Sequence, residues 1–193
     1  MHRYRILLSA RQLLVVVLVT SAVVLASVAL SADSWPGSRP QVYASSDGAH
    51  RFTTRPPQLA TWSGKSHGIL LSLAPDGSET ALWNRELVNI PVIAFVGNDG
   101  KYVVTFDTWA RLGYEHALVI YDRQGVVVVD YDLEALLSAD EIASSVVHTV
   151  SARRWLQGAT IAFDNGGRDI VIRLQWGKRI RVALATGTIE TVQ

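Results

Sequence analysis

Short runs of mostly apolar, strand-forming residues recur along the chain from about residue 41, and turn-forming pairs, most of which contain glycine, separate the runs. Residues 98–130 show this pattern most clearly. Their turn signals are Asp99-Gly100 and Gln124-Gly125, and the runs between them are Tyr102–Asp107, Ala117–Tyr121 and Val126–Tyr131. Turns that favour positive φ between runs of β-branched and aromatic residues are the strongest short-range hairpin signal. We therefore predict an antiparallel meander here.

The same pattern predicts further strands at Gly68–Leu73, Thr80–Asn84, Val92–Val96, Ala159–Phe163, Ile170–Trp176, Arg179–Ala185 and Thr188–Val192. In the last third, the apolar set Ile170, Ile172, Leu174 and Trp176 alternates with Val171, Arg173 and Gln175, and the set Ile180, Val182 and Leu184 repeats it. This period of two predicts strands with one buried face and one face in water.

One helical connection is expected between two β-rich parts. Asp132 can cap a turn over 133–137, and Ser138 and Glu141 have the spacing of a capping box ahead of 142–147. Helices do not follow strands often enough for βαβ units, so a parallel sheet is not predicted. Short strands with regular turns indicate a sandwich, a barrel or a propeller-like sheet.

The N-terminal segment has a different composition. Residues 1–32 carry basic positions, then an apolar run of about 18 residues and small residues at the exit, which predicts a secretory signal peptide. An uncleaved membrane anchor over residues 6–30 is the alternative, because the run also meets the minimum for crossing a bilayer. Residues 33–40 are predicted to be a linker, and residues 41–193 a single β-rich domain.

Net charge and cysteine content exclude several functional classes. The chain has a formal net charge of +1, but residues 1–32 hold three of the 18 basic residues and none of the 17 acidic ones, which leaves 15 against 17, or −2. No basic stripe remains, so we expect no nucleic-acid partner. The absence of cysteine excludes disulfides, thiolate zinc sites and a cysteine nucleophile.

Two segments carry a family resemblance. Residues 92–107, Val-Ile-Ala-Phe-Val-Gly-Asn-Asp-Gly-Lys-Tyr-Val-Val-Thr-Phe-Asp, followed by Leu118–Gly125, resemble the blade repeats of TolB-like and YVTN-type β-propellers. The whole mature chain also resembles exported bacterial proteins that share the block Phe106–Ala117, a resemblance that implies no known activity. About 150 residues are too few for a full propeller. The resemblance therefore implies a mainly β fold, with antiparallel meanders forming a partial propeller-like sheet or sandwich.

The segment between two of the predicted strands, residues 108–116, is the candidate binding site. It is longer than a hairpin needs, and long loops are commonly functional. The candidate ligand-binding residues are Asp107, Trp109, Arg111, Tyr114, Glu115 and His116. Such a set could bind a sugar, a peptide or an anionic ligand. The structural alternative is that the aromatic residues cover the open end of the sheet while Arg111 pairs with Glu115 or Asp107.

Other candidate motifs support no site. Gly64-Lys-Ser-His-Gly68 matches a nucleophile elbow, but a predicted strand follows Ser66 where the motif needs a helix. Asp130, Asp132, Asp164 and Asp169 could offer oxygen to calcium, but such residues at turns usually bond their own backbone. Arg153 and Arg154 beside Trp155 could bind an acidic partner, although exposed basic pairs are more often solvated. We assign no catalytic residue, metal or cofactor.

These observations favour an exported, non-enzymatic binding or protein-interaction module, periplasmic or extracellular, for a protein, peptide or saccharide. Contact with the membrane is expected only through the N-terminal segment if it is uncleaved. A hydrolase of exported substrates is one alternative, with His116 as base and Asp107 or Glu115 orienting it. A membrane-anchored structural protein of the envelope is the other.

Overall fold

Most strands lie in three four-stranded antiparallel sheets, each built from strands consecutive in the chain. The structure is a computed structural model and describes residues 38–57 and 65–192. Sheet 1 contains β1 (Gln41–Ala44), β2 (His50–Arg55), β3 (His67–Leu73) and β4 (Glu79–Glu86). Sheet 2 contains β5 (Ile93–Val96), β6 (Val103–Phe106), β7 (Leu118–Tyr121) and β8 (Val127–Tyr131).

Sheet 3 contains β11 (Thr160–Asp164), β12 (Asp169–Arg173), β13 (Arg179–Ala183) and β14 (Ile189–Val192). Before it, β9 (Val147–His148) and β10 (Arg153–Arg154) form a short two-stranded pair. Each large sheet has the up-and-down order of four strands that is typical of a propeller blade. The fold is therefore mainly β with antiparallel meanders, and the predicted fold class is confirmed.

The predicted meander is sheet 2. Val103 in β6 pairs with Tyr121 in β7, and Leu118 in β7 pairs with Tyr131 in β8. Gly100 and Gly125 in the turns both have positive φ, 63° and 74°. Because glycine lacks a Cβ, it adopts this conformation without the steric cost other residues would meet.

The two central strands of sheet 2, β6 and β7, are buried on both faces. Alternate residues of β6 and β7, such as Val103 and Val119, join a core with Phe52, Leu70 and Trp83 of sheet 1. The intervening residues pack against sheet 3 and the helices in a second core, which includes Val104, Phe106, Leu118, Ile120, Ile170, Ile172, Ile180 and Val182. A strand buried on both sides has no wet face, which explains the nearly unbroken apolar runs of β6 and β7.

Sheet 3 follows the predicted alternation with two differences. Ile170, Ile172 and Ile180 are fully buried, as expected. Val171, predicted on the wet face, is only 4% exposed. The predicted strand is also too long, because β12 ends at Arg173 and a turn follows in which the N–H of Gly177 bonds the carbonyl of Leu174.

The helical connection is confirmed as two short helices, α1 (Leu133–Leu136) and α2 (Ala139–Ser145). The Asp132 side chain accepts a hydrogen bond from the N–H of Ala135. Ser138 and Glu141 form the full capping box, in which each side chain bonds the other residue's backbone N–H. These caps satisfy N–H groups that have no partner within the helix.

Strands β1 and β2 do not appear among the predicted elements. In β2 only Phe52 and Thr54 are buried, and their polar neighbours hide the apolar alternation. The predicted signal peptide or anchor over residues 1–32 lies outside the described residues, as does most of the linker. Within the part that the structure describes, none of the helices has the length and apolar character needed to cross a membrane.

Candidate functional site

The loop between β6 and β7 has an unusual backbone. Asp107, Ala110 and His116 have positive φ although none is glycine, and Gly113 also has positive φ. Non-glycine residues in this region are uncommon, and such strain persists only where the surroundings fix it. Here backbone hydrogen bonds fix it, from Trp109 N to Ile90 O and from Arg153 N to Leu112 O.

Asp107, at the start of this loop, is an acidic residue that is almost completely buried. Its side chain is buried, and Oδ1 accepts hydrogen bonds from Trp155 Nε1 at 3.0 Å and from Gly113 N at 2.8 Å. Removal from water disfavours the ionised form, so burial raises the pKa of Asp107 to about 6, while the two hydrogen bonds oppose the rise. The carboxylate thus joins the loop to the segment that precedes sheet 3.

Asn89 also forms a hydrogen bond with Asp107, to its backbone carbonyl. Asn89 is not among the residues predicted from the sequence. Its Nδ2 donates to the Asp107 carbonyl at 2.8 Å, and its own carbonyl accepts from Ser66 Oγ at 2.6 Å. Tyr121 donates to Asn89 Oδ1 at 3.3 Å. No sequence motif marks Asn89, because its partners lie far away along the chain.

A groove lies beside Asp107, between the first strands of sheets 2 and 3. We call it the β5–β11 groove. Its volume is about 540 Å³. Seven lining residues are apolar and three are polar: Val92, Ile93, Phe95, Leu112, Leu156, Ala159 and Ile161, with Asp107, Arg154 and Gln157. An apolar cleft with a few polar groups is the usual form of a binding site.

Of the predicted site residues, only Asp107 lines this groove. Arg111 and Glu115 form an ion pair at 3.0 Å on the surface. The Tyr114 ring lies near two guanidinium groups, 4.3 Å from that of Arg153 and 5.8 Å from that of Arg111. The ion pair is the one that the structural alternative predicts for Arg111. Arg111, Tyr114 and Glu115 thus all have partners within the protein itself.

The other two predicted residues lie in separate environments. Trp109 lines a different cavity of about 430 Å³, together with Ile90, Pro91 and Val92. His116 Nδ1 lies 2.8 Å from the Asp130 carboxylate. The hydrolase hypothesis gives the orienting role to Asp107 or Glu115, whereas the structure places Asp130 beside the ring. Asp130 lies in β8, which pairs with β7, so the loop sequence alone does not show that Asp130 is the neighbour of His116.

The remaining motifs have structural roles. Ser66 is fully buried, and its hydroxyl donates to the Asn89 carbonyl. Trp155, considered as part of a basic surface motif, is also fully buried and makes its hydrogen bond to Asp107. Within residues 38–57 and 65–192, no three histidine, aspartate or glutamate side chains are grouped as a metal ion would require.

The sequence matches no protein family model and no curated protein. Among solved structures, the chain is similar to the C-terminal WD40 domain of Sif2, with 10% identity, a TM-score of 0.40, and coverage of 82% of this chain and 39% of that one. For HIRA(644-1017) the identity is 15%, the TM-score 0.42, and the coverage 82% and 57%. The chain thus spans less than two thirds of either structure.

Proposed function

We propose that this chain is an exported, non-enzymatic interaction module that binds an extended peptide segment of a partner protein in the β5–β11 groove. The observation that carries the proposal is the groove itself, an apolar cleft of about 540 Å³ whose lining includes the buried residue Asp107. Apolar clefts with one or two fixed polar groups bind ligands by burying apolar surface and orient them through the polar contacts.

A peptide suits this groove better than a saccharide. Most of the lining is apolar, whereas a sugar needs many hydrogen-bonding partners for its hydroxyl groups. In addition, β5 and β11 are both edge strands of their sheets. Edge strands carry backbone N–H and C=O groups that their own sheet leaves unpaired, and extended peptides commonly add to such edges.

A display library of random peptides, selected on the immobilised full chain, tests the binding role. Ile161→Arg would place a large charged side chain in the groove. Ala162→Arg is the matched control, because Ala162 is the next residue of β11 and successive strand residues point to opposite faces. We expect selected peptides to bind the wild type and Ala162→Arg but not Ile161→Arg. Equal binding to both variants, or no enrichment over bare support, would contradict the proposed function.

Export rests on residues 1–32 alone, whose basic start, apolar run and small exit residues support a signal peptide. N-terminal sequencing of the protein recovered outside the cytoplasm tests it. A first residue close to Ala32 is the expected result. Recovery of chains that begin at Met1 would instead favour the membrane anchor.

A further inference from the structure

Asp107 is one of the residues that line the groove, and its carboxylate has no cation beside it in the described part of the chain. Both hydrogen bonds that described residues donate to the carboxylate end on Oδ1, and both come from neutral groups, the Trp155 indole and the Gly113 amide. None of the ion pairs between described residues includes Asp107. A carboxylate removed from water is strongly stabilised by a positive group that enters the same site.

The hydrogen bonds and the burial of Asp107 favour an ammonium group over a guanidinium group as its partner. A guanidinium binds best to both oxygens of a carboxylate, through two parallel hydrogen bonds. Because Oδ1 of Asp107 already accepts two hydrogen bonds, a bidentate contact would compete with them. A lysine ammonium is compact and lies at the end of a thin apolar stem, so it can reach a side chain that is only 3% exposed.

We propose that the β5–β11 groove selects a partner segment in which a lysine is flanked by apolar residues, and that the lysine ammonium contacts Asp107. The flanking residues would pack on Ile93, Phe95 and Ile161. This inference rests on the proposed function and adds the chemistry of the bound segment.

The other charged groups near Asp107 do not replace the ligand. Arg154 lines the groove, but its residue is exposed, so water solvates its charge. Arg153, which packs behind Gly113, forms an ion pair with Glu134. No histidine is among the described lining residues. Burial raises the pKa of Asp107 to about 6, so Asp107 is the lining residue whose protonation changes between about pH 5 and pH 7, and its neutral form would bind an ammonium weakly.

The test uses peptides selected on the full chain in the display experiment above. Each peptide is resynthesised with norleucine in place of lysine, which keeps the stem and removes the charge. Binding is measured to the wild type, to Asp107→Asn and to Asp140→Asn, a matched loss of one negative charge on the exposed face of α2. The asparagine can keep both hydrogen bonds to Oδ1 and tolerates positive φ, so it should preserve the site.

We expect the selected peptides to contain lysine, and norleucine or Asp107→Asn to weaken binding at least about tenfold. Asp140→Asn should have no effect. Binding should also fall roughly tenfold from about pH 7 to about pH 5, as Asp107 takes up a proton.

Groove-dependent peptides that lack lysine, or that bind Asp107→Asn as well as the wild type, would overturn this inference and leave the proposed function intact. Selection of no groove-dependent peptide would overturn both. Binding of free hexylamine as tight as that of the lysine peptides would show that a small amine, rather than a partner segment, is the ligand.

Discussion

Replacing Asp107 with asparagine should change how the stability of this protein depends on pH. The Asp107 side chain is buried, and its Oδ1 accepts hydrogen bonds from Trp155 and Gly113. Asparagine has nearly the same shape, can accept both hydrogen bonds and is among the residues that adopt positive φ most readily. The substitution therefore removes the ionisable group with little change in packing.

The size of the effect follows from the pKa of Asp107. Burial raises that pKa from an ordinary value of 3.8 to about 6. The folded protein therefore holds the proton more tightly than the unfolded chain by about 3 kcal/mol. This contribution favours folding fully below about pH 4 and is lost as the pH rises through about 6. In Asp107→Asn no such loss can occur.

Urea unfolding of the wild type and of Asp107→Asn between about pH 4 and pH 7 measures this difference. Taking the difference between the two proteins cancels the titration of all other groups. We expect the free energy of unfolding of the variant, relative to wild type, to rise by about 2.5 kcal/mol over this range, because part of the full effect lies below about pH 4. Parallel curves would refute the reasoning, because they would show that Asp107 has the same pKa in the folded and unfolded states.

Asp107→Ala provides the contrast. Alanine leaves the Trp155 N–H and the Gly113 N–H without their acceptor, and it must adopt positive φ with a less tolerant side chain. Because both variants lack the ionisable group, we expect Asp107→Ala to be less stable than Asp107→Asn by roughly 4 kcal/mol at every pH in the series. A stable alanine variant would show that the carboxylate does not hold the loop.

Three further substitutions test the site. Trp155→Phe removes a hydrogen bond that lowers the pKa of Asp107, so the free energy of unfolding should fall by about 2 kcal/mol. The pH at which stability is half lost through ionisation of Asp107 should also move above about 6, and an unchanged value would contradict this. Asn89→Ala leaves several buried partners unpaired and should cost about 3 kcal/mol in urea unfolding, whereas a cost below about 1 kcal/mol would show that Asn89 is not central. Gly113→Ala and Gly77→Ala both place alanine at positive φ, but only at Gly113 would the new Cβ lie 2.4 Å from the Arg153 carbonyl oxygen. Gly113→Ala should therefore lower the melting temperature much more, and equal shifts would argue against this close contact.

Local patterns predicted most of the fold. Apolar runs between glycine turns predict the strands of sheet 2, alternation predicts those of sheet 3, and the caps predict both helices, because these signals involve residues a few positions apart. The first two strands were missed because each has too few buried residues to show a period. Alternation within the strand predicts that Val171 is exposed to solvent. It is buried instead, because burial also depends on the chain segments that pack against the strand.

The candidate site was only partly predictable. The length and composition of the loop drew attention to Asp107, which does line the groove. The sequence shows Trp155 only as a neighbour of two arginines, whereas in the structure its indole N–H donates to Asp107, 48 positions away in the chain. Asn89 carried no signal, because an isolated polar residue becomes recognisable as a buried hydrogen-bonding centre only when its partners are known.

The sequence by itself determined where the chain turns, which residues alternate in its strands and where its helices begin, since those properties depend on backbone preferences over a few residues. Only the tertiary structure decided that β6 and β7 are buried on both faces, that His116 lies beside Asp130, and that residues of β5 and β11 line a groove together with the buried Asp107. The physical reason is that burial, and the electrostatics that burial creates, depend on contacts between segments far apart in the chain.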